Sequence, residues 1–297
     1  MKKLNADTIV CFGEVLWDML PAGAKPGGAP MNVAIHLKRQ GLNPLIVSSV
    51  GNDTDGEKLR AFLQEAGMNL KYLQTDETLL TSQVLVHLDS DKNATYEICE
   101  PVAWDNIQYS DELKKLAAKT DLIVFGTLAI RNETSRQTLL NFLEHSPAKR
   151  FLDVNLRPPY DTRDVVEKML HLADFAKLNN DELETIAGWN NQKGTEEKLV
   201  RWLSEFFSCS TVCVTRGANG AALLKDEKWH EHPGFKVVAV DTVGSGDSFL
   251  AGLIAQLSAG ISPEKALKYA CATGAFVASQ PGAVPEYSVR DIEMVFG

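Results

Sequence analysis

The residues best suited to chemistry form the run Asp-Thr-Val-Gly-Ser-Gly-Asp-Ser-Phe, which ends at Phe249. Gly244 and Gly246 flank Ser245, and the carboxylate of Asp247 follows directly. An apolar run begins at Phe249, so we predict that a helix starts here. Glycines let backbone N–H groups approach a ligand closely, and a helix N-terminus offers unpaired N–H donors with a positive partial charge. The run therefore predicts an anion-binding site.

Asp247 stands where it would repel a bound anion, so its presence needs a reason. A carboxylate there makes sense as a general base that takes the proton of a hydroxyl group while neighbouring N–H groups hold a phosphoryl group. This arrangement is typical of phosphoryl transfer to an alcohol. A helix cap after a glycine turn is the alternative when the run is taken alone, and the rest of the chain has to decide.

The surrounding elements would place this turn at the edge of a sheet. The run 236–240 predicts a strand before the turn, and 249–258 predicts the helix after it. Further runs of strand length alternate with helical patterns, at 8–13, 44–50, 122–126, 150–155, 174–178 and 211–215. We therefore predict an α/β fold in which a central, mostly parallel sheet carries helices on both faces.

Ligands of such folds bind beyond the carboxyl ends of the strands, and polar residues or glycines follow several predicted strands. They are Glu14, Asp18, Arg157, Asn179, Glu182, Thr215, Gly217 and Gly220. Glu14 and Asp18 can accept hydrogen bonds from sugar hydroxyl groups. A second glycine-rich run, Gly27-Gly28-Ala-Pro-Met-Asn32, precedes a predicted helix and puts an amide on its first turn. Because these residues all follow predicted strands or precede a predicted helix, they favour a catalytic role for Asp247 over a helix cap.

Composition and missing motifs argue against other classes of protein. A net charge of −9 and an isoelectric point near 5.2 disfavour a nucleic-acid-binding protein. Residues 51–58 lack the Gly-Lys-Ser/Thr of a P-loop, and 244–249 lack the third glycine of a dinucleotide-binding motif. The five cysteines have no framework spacing, and no apolar leader or membrane-spanning run is present. We expect a cytoplasmic protein with no membrane partner.

Both glycine-rich runs resemble the two signatures of the PfkB, or ribokinase-like, family of carbohydrate kinases, and they occur in the family's order. The segments 101–105 and 153–159 are most similar to its fructokinase branch. The resemblance covers nearly the whole chain. It implies a ribokinase-like fold and a single kinase domain over residues 1–297. Runs at 82–88 and 94–99 predict a hairpin, which we interpret, with a strand in the region 14–21, as a small β lid over 14–21 and 82–100.

The resemblance also implies a role for each candidate residue. Asp247 would be the catalytic base, and the N–H groups of Gly244, Ser245 and Gly246 would hold the transferring phosphoryl group. The sugar would be bound by Asp18, Gly28, Asn32 and Arg157. The nucleotide would be bound by Asn179, Thr215, Gly217 and Gly220. Glu182 would organise Mg²⁺ indirectly, and Asp241 would lie beside a monovalent cation such as K⁺.

We expect an ATP-dependent sugar kinase that converts fructose to fructose 6-phosphate and forms a homodimer through the lid. A kinase of the same fold for 2-keto-3-deoxygluconate, ribose or a nucleoside is one alternative, because only Arg157 and the segment 101–105 favour fructose. A non-catalytic sugar-binding protein and a nicotinamide-dependent dehydrogenase are others. The presence of Asp247 together with Gly244 and Gly246 disfavours the non-catalytic alternative.

Overall fold

The computed structural model describes residues 7–20, 23–88 and 94–296. The strands in these ranges are β1 (Ile9–Phe12), β2 (Leu16–Leu20), β3 (Gly23–Gly27), β4 (Pro44–Gly51), β5 (Leu73–Asp76), β6 (Ser82–Leu88), β7 (Ala94–Ile98), β8 (Leu122–Gly126), β9 (Lys149–Asp153), β10 (Phe175–Asn179), β11 (Thr211–Thr215), β12 (Ala221–Lys225) and β13 (Lys228–His232). The α-helices are α1 (Ala29–Arg39), α2 (Thr54–Glu65), α3 (Asp111–Ala117), α4 (Glu133–Glu144), α5 (Arg163–Leu172), α6 (Asn180–Trp189), α7 (Glu196–Phe207), α8 (Ser245–Ser258), α9 (Pro263–Ala278) and α10 (Val289–Met294).

Nine strands form one sheet in the order β13-β12-β11-β10-β9-β8-β1-β4-β5. Every pairing from β11 to β5 is parallel, and β12 and β13 complete one edge as an antiparallel pair. The predicted central, mostly parallel sheet is confirmed. Along β1, Ile9 and Cys11 join one hydrophobic core, while Val10 and Phe12 join the other. Side chains that alternate between two buried faces require a layer of helices on each face.

A second sheet has four strands in the order β3-β2-β6-β7. It contains the hairpin predicted at 82–88 and 94–99 and the strand predicted within 14–21. The hairpin tip at 89–93 and residue Pro21 lie outside the described residues. The strand β3 was missed because Gly-Ala-Lys-Pro-Gly contains no β-branched or aromatic residue. Pairing with β2 gives this run its extended conformation.

The prediction of a strand at 236–240 is wrong. The described chain between β13 and α8 has no regular secondary structure, and Val238 is 86% exposed. The N–H groups of Val240 and Asp241 both donate to the carbonyl oxygen of Ala278 at the end of α9. The valine-rich composition favours a strand, but these backbone donors are used by a helix end instead of a neighbouring strand.

A buried ion pair ties the smaller sheet to the larger one. Arg131, which follows β8, donates to both carboxylate oxygens of Asp105 at 2.8 Å and to the carbonyl oxygen of Cys99 at 2.7 Å, just beyond β7. Its guanidinium carbon lies 4.1 Å from the ring centre of Trp104 and 4.7 Å from that of Tyr160. The two opposite charges compensate each other in a buried position. Through its bond to Cys99, Arg131 also holds the chain in place just after β7.

Replacing Arg131 with alanine should destabilise the protein by about 3–5 kcal/mol, because Asp105 would stay buried without its partner. Chemical denaturation of wild type and variant measures this loss. The matched control is Arg136→Ala, which removes a helix-surface ion pair with Glu133, a residue whose side chain is 76% exposed. It should cost less than about 1 kcal/mol. Equal losses in the two variants would contradict the role given to the buried pair.

Candidate active site

The glycine turn predicted to bind an anion lies at the N-terminus of α8. Gly244 precedes the helix with a φ of 77°, and Asp247 lies in the first turn. A side chain at Gly244 would be strained by this φ and would collide with the carbonyl oxygen of Ala283. Glycine is therefore required at this position. At this end of α8 the N–H of Ser245 donates to the carbonyl oxygen of Thr242 at 3.2 Å, whereas the described hydrogen bonds include none from the N–H groups of Gly246 and Asp247. Unpaired N–H groups at a helix N-terminus can bind an anion.

The two glycine-rich runs meet in the fold. Asn32, on the first turn of α1, donates from Nδ2 to Oδ2 of Asp247 at 2.8 Å, although the two residues are 215 positions apart. Pro30 occupies the start of α1, where its missing N–H costs nothing. Gly28 precedes the helix with a φ of 115°, and a Cβ there would meet the backbone of Glu14. The structure thus brings Asn32 to Asp247 and places Gly28 one helical turn before Asn32.

A buried ion pair beside Asp247 was not predicted. The Nζ atom of Lys177 on β10 lies 2.9 and 3.1 Å from the carboxylate oxygens of Asp153 at the end of β9. A Cβ on Gly246 would lie 3.1 Å from that Nζ atom, so the ammonium group is close to the anion turn. A sequence signal for it exists: a lysine inside the apolar strand Phe-Ala-Lys-Leu-Asn needs a buried acidic partner.

These charges set the protonation of Asp247. Burial and, to a lesser extent, the nearby Asp153 carboxylate raise the pKa of its carboxyl group, which reaches about 6. The Lys177 ammonium, the hydrogen bond from Asn32 and the Arg157 guanidinium act in the opposite direction. A carboxylate with a pKa close to neutral pH is well matched to accept a proton from an alcohol as a bond forms.

Two further carboxylates, those of Glu14 and Asp18, are the ones that the sequence predicts to be able to bind sugar hydroxyl groups. Glu14 is buried; its Oε1 atom accepts the N–H of Ala29 at 3.3 Å and so caps α1. Burial raises its pKa to about 7. Asp18 lies within β2 and is half-buried, and burial also raises its pKa. The positive charge of the exposed Arg157 lowers the pKa of both groups and of Asp247.

Glu182 joins two loops. It forms a capping box with Asn179 at the start of α6: the Glu182 N–H donates to Oδ1 of Asn179, and the Asn179 N–H donates to Oε2 of Glu182. Its other oxygen, Oε1, accepts the N–H of Leu156 at 2.9 Å. Both carboxylate oxygens therefore hold backbone, and they position the turn that carries Arg157.

The remaining candidates lie at the end of β11, in the turn after it, and in the segment before α8. Thr215 ends β11, and Gly217 and Gly220 lie in the turn that follows. Gly220 has a φ of 80° and no space for a side chain beside the carbonyl group of His232. Asp241 accepts the N–H of Val243 at 3.0 Å with one oxygen and the N–H of Gly282 at 3.1 Å with the other. Asp241 thus links the segment before α8 to the segment after α9.

Comparison with known proteins decides the family. The family model described as pfkB family carbohydrate kinase matches residues 9–288. A fructokinase from Klebsiella pneumoniae is 32% identical, over 94% of this chain and 96% of that protein. An ATP-dependent 6-phosphofructokinase from Thermoanaerobacterium thermosaccharolyticum is also 32% identical, over 91% and 83%. The chain belongs to the PfkB family of carbohydrate kinases.

Membership of the PfkB family makes this protein a phosphotransferase that acts on a sugar hydroxyl group. The crystal structure of a Xylella fastidiosa fructokinase with bound ATP superposes with a TM-score of 0.86 at 23% identity and covers 98% of both chains, which confirms the ribokinase-like fold. Within the described ranges of this PfkB protein, no helix has the length and apolar character needed to cross a membrane.

Replacing Asp247 with asparagine should stabilise this kinase at neutral pH by about 1–2 kcal/mol. The folded protein holds the Asp247 proton more tightly than the unfolded chain, so its contribution to stability is greatest at low pH and is lost as the pH rises through about 6. The amide has no carboxylate to destabilise the folded protein. The difference in the free energy of unfolding between the variant and the wild type should therefore become smaller toward pH 5. Urea unfolding at pH 7.5 and pH 5 measures it.

The control is Glu205→Gln, an acid-to-amide change at an exposed position of α7. It should change the stability by less than about 0.5 kcal/mol at both pH values. If Asp247→Asn were destabilising at pH 7.5, the carboxylate would not be under the electrostatic strain inferred here.

Proposed function

We propose that this protein is an ATP-dependent fructokinase that converts fructose to fructose 6-phosphate. The observation that carries the proposal is the carboxylate of Asp247, hydrogen-bonded to Asn32 at the N-terminus of a helix that begins at a glycine turn. A base and an anion site share one helix turn, which is the arrangement that phosphoryl transfer to a hydroxyl group requires. The similarity to the Klebsiella fructokinase supports fructose as the acceptor.

The proposed reaction moves one proton and one phosphoryl group. Asp247 takes the proton of the sugar hydroxyl as its oxygen bonds to the γ-phosphorus of ATP. The bond between that phosphorus and the oxygen bridging to the β-phosphate breaks, and ADP leaves with the bond electrons. The N–H groups of Gly244 and Gly246, with the N–H of Ser245 shared with the carbonyl oxygen of Thr242, would stabilise the charge on the transferring group. The Lys177 ammonium close to Gly246 would add a fixed positive charge.

Sugar recognition is assigned to residues around the first turn of α1. Asp18 and Asn32 offer acceptor oxygens to hydroxyl groups, and Gly28 lets the sugar approach the backbone. Arg157 is exposed and donates only to the carbonyl oxygen of Leu156 among the described hydrogen bonds. It is therefore available to a hydroxyl group or an anionic substituent at the far end of the sugar.

ATP is assigned to the opposite side of Gly244. Asn179, Thr215, Gly217 and Gly220 lie on the turns after β10 and β11, and they are the proposed nucleotide contacts. The irregular segment before α8 exposes apolar side chains: Val238 is 86% exposed, Val240 64% and Val243 53%. A row of exposed valines next to an anion site suits a flat, apolar base whose phosphates reach the N–H groups.

Two metal ions are part of the proposal: Mg²⁺, bound mainly by the phosphates of the nucleotide, and K⁺, next to Asp241. Among the residues that the structure describes, no group of three or more His, Cys, Asp or Glu side chains could hold a metal ion. This fits Mg²⁺, which keeps several waters and binds mainly through phosphates, with Glu182 contributing only indirectly. Asp241 still has lone pairs beside the Gly282 loop and remains the proposed neighbour of a K⁺ ion.

The smaller sheet is the proposed lid. Asp18 lies within its strand β2, so movement of this sheet would carry a sugar-binding residue with it. We also propose that two copies of the chain pair through this sheet, where Leu20 is 37% exposed.

Replacing Asp247 with asparagine should lower kcat by about 10²–10⁴-fold, because the amide cannot accept the proton. ATP binding should change little, and an ADP-release assay with a nucleotide titration measures both. A variant that kept a tenth of the wild-type kcat would exclude Asp247 as the base.

In the wild type, kcat/KM should fall about tenfold per pH unit below pH 6, because Asp247 becomes protonated. In Asn32→Ala, which loses a hydrogen bond that lowers this pKa, the fall should begin at a higher pH.

An ADP-release screen of the wild type against fructose, fructose 6-phosphate, ribose, 2-keto-3-deoxygluconate and nucleosides tests the acceptor. Fructose should give the highest kcat/KM. The second candidate is a kinase for an acidic or phosphorylated sugar, favoured by the exposed Arg157 and by similarity to the Thermoanaerobacterium enzyme. Arg157→Ala should then cost far more kcat/KM for the anionic sugar than for fructose. A preference for an anionic or nucleoside acceptor would overturn the fructose assignment.

A further inference from the structure

A buried histidine lies on the helix that carries Asn32. His36 is fully buried on α1, and both ring nitrogens have partners. Nε2 lies 2.9 Å from the carbonyl oxygen of Ala283, and Nδ1 lies 2.9 Å from the hydroxyl of Tyr287. A carbonyl oxygen can only accept, so Nε2 must carry the hydrogen atom. Nδ1 is then the acceptor, and the Tyr287 hydroxyl donates to it.

Two more side chains, Gln40 and Tyr269, extend this chain of hydrogen bonds with the same donor-to-acceptor direction. The hydroxyl of Tyr287 accepts from Nε2 of Gln40 at 3.4 Å, and Oε1 of Gln40 accepts from the hydroxyl of Tyr269 on α9 at 2.6 Å. Each group in this chain donates toward Ala283, so the bonds reinforce one another. Burial lowers the pKa of His36 to about 4, and the ring therefore stays neutral near pH 7 with its acceptor nitrogen free for Tyr287.

Ala283, where this chain of hydrogen bonds ends, lies against the anion turn. A Cβ added to Gly244 would lie 2.7 Å from the Cα of Ala283 and would collide with its carbonyl oxygen. The preceding residue, Gly282, donates to Asp241, which lies three positions before Gly244. The Ala283 carbonyl carries a partial negative charge close to the place where an anion would bind. The N–H of His36 compensates that charge and fixes the orientation of the peptide.

We propose that His36 is a positioning residue for phosphoryl transfer. Through the Ala283 carbonyl it sets the turn at Gly244 from which the N–H donors of the anion site project. Because α1 also carries Asn32, one rigid helix aligns both the base and the anion turn. The effect on turnover rests on the proposed function, whereas the effect on the turn itself does not.

Kinetics of His36→Ala test the first part. Its kcat should fall at least tenfold, while the KM for the sugar changes less than threefold, because the sugar contacts are intact. His36→Gln, whose amide can donate to the Ala283 oxygen, should recover most of the loss. The control is Leu37→Ala, a buried apolar residue of the same helix. If His36→Ala lost no more kcat than Leu37→Ala, or if glutamine gave no recovery, His36 would be a packing residue only.

Hydrogen–deuterium exchange tests the second part without any sugar. Amide exchange in the segment 241–249 should be at least tenfold faster in His36→Ala than in the wild type or Leu37→Ala, with His36→Gln close to the wild type. Unchanged exchange in this segment would overturn the proposal even in an active enzyme. A wild type that phosphorylates no sugar would refute the proposed function alone, because the exchange data would still decide the role of His36. Tyr287→Phe, which keeps the ring and removes the donor, gives an intermediate exchange rate on this account.

Discussion

The proposed site depends on the pKa of one carboxylate, that of Asp247, which lies beside the proposed anion-binding turn at the start of α8. Asp247 is drawn toward its protonated form by burial and by the Asp153 carboxylate. It is held near a useful pKa by the Lys177 ammonium and by the hydrogen bond from Asn32. Without these two partners its pKa would be higher, and a smaller fraction of the group would be ionised at physiological pH. Without its burial it would be too weak a base for an alcohol.

The fold supplies these partners from distant parts of the chain. Lys177 and Asp153 come from adjacent parallel strands of the large sheet, and Asn32 comes from the helix that packs against α8. Their positions are fixed by strand register and helix packing, which tolerate little movement. The segment from Asp241 to Gly244 is irregular, so its geometry depends on contacts with Gly282 and Ala283. The proposed base is thus held by regular elements, and the turn before it is held by its neighbours.

Much of this arrangement could be predicted from the sequence. The apolar strands and the two glycine-rich runs determine the sheet, both helix starts and the position of Asp247. The strand predicted at 236–240 is wrong because valine content reports β propensity and not the partner that the backbone finds. The role of Lys177 was not predicted because the residue lies inside an apolar strand, although a lysine in such a strand indicates a buried acidic partner. His36 could not be found, since its partners Ala283 and Tyr287 become neighbours only in the fold.

On the proposed mechanism, Asp247 meets the hydroxyl group to be phosphorylated while the N–H groups of the α8 turn meet the phosphoryl group. The decisive measurement is a crystal structure with fructose and a non-hydrolysable ATP analogue. We expect the sugar 6-hydroxyl oxygen within about 2.6–3.2 Å of an Asp247 carboxylate oxygen, with the terminal phosphate against residues 244–246. A sugar bound with every hydroxyl oxygen beyond reach of Asp247, or a phosphate seated elsewhere, would contradict it.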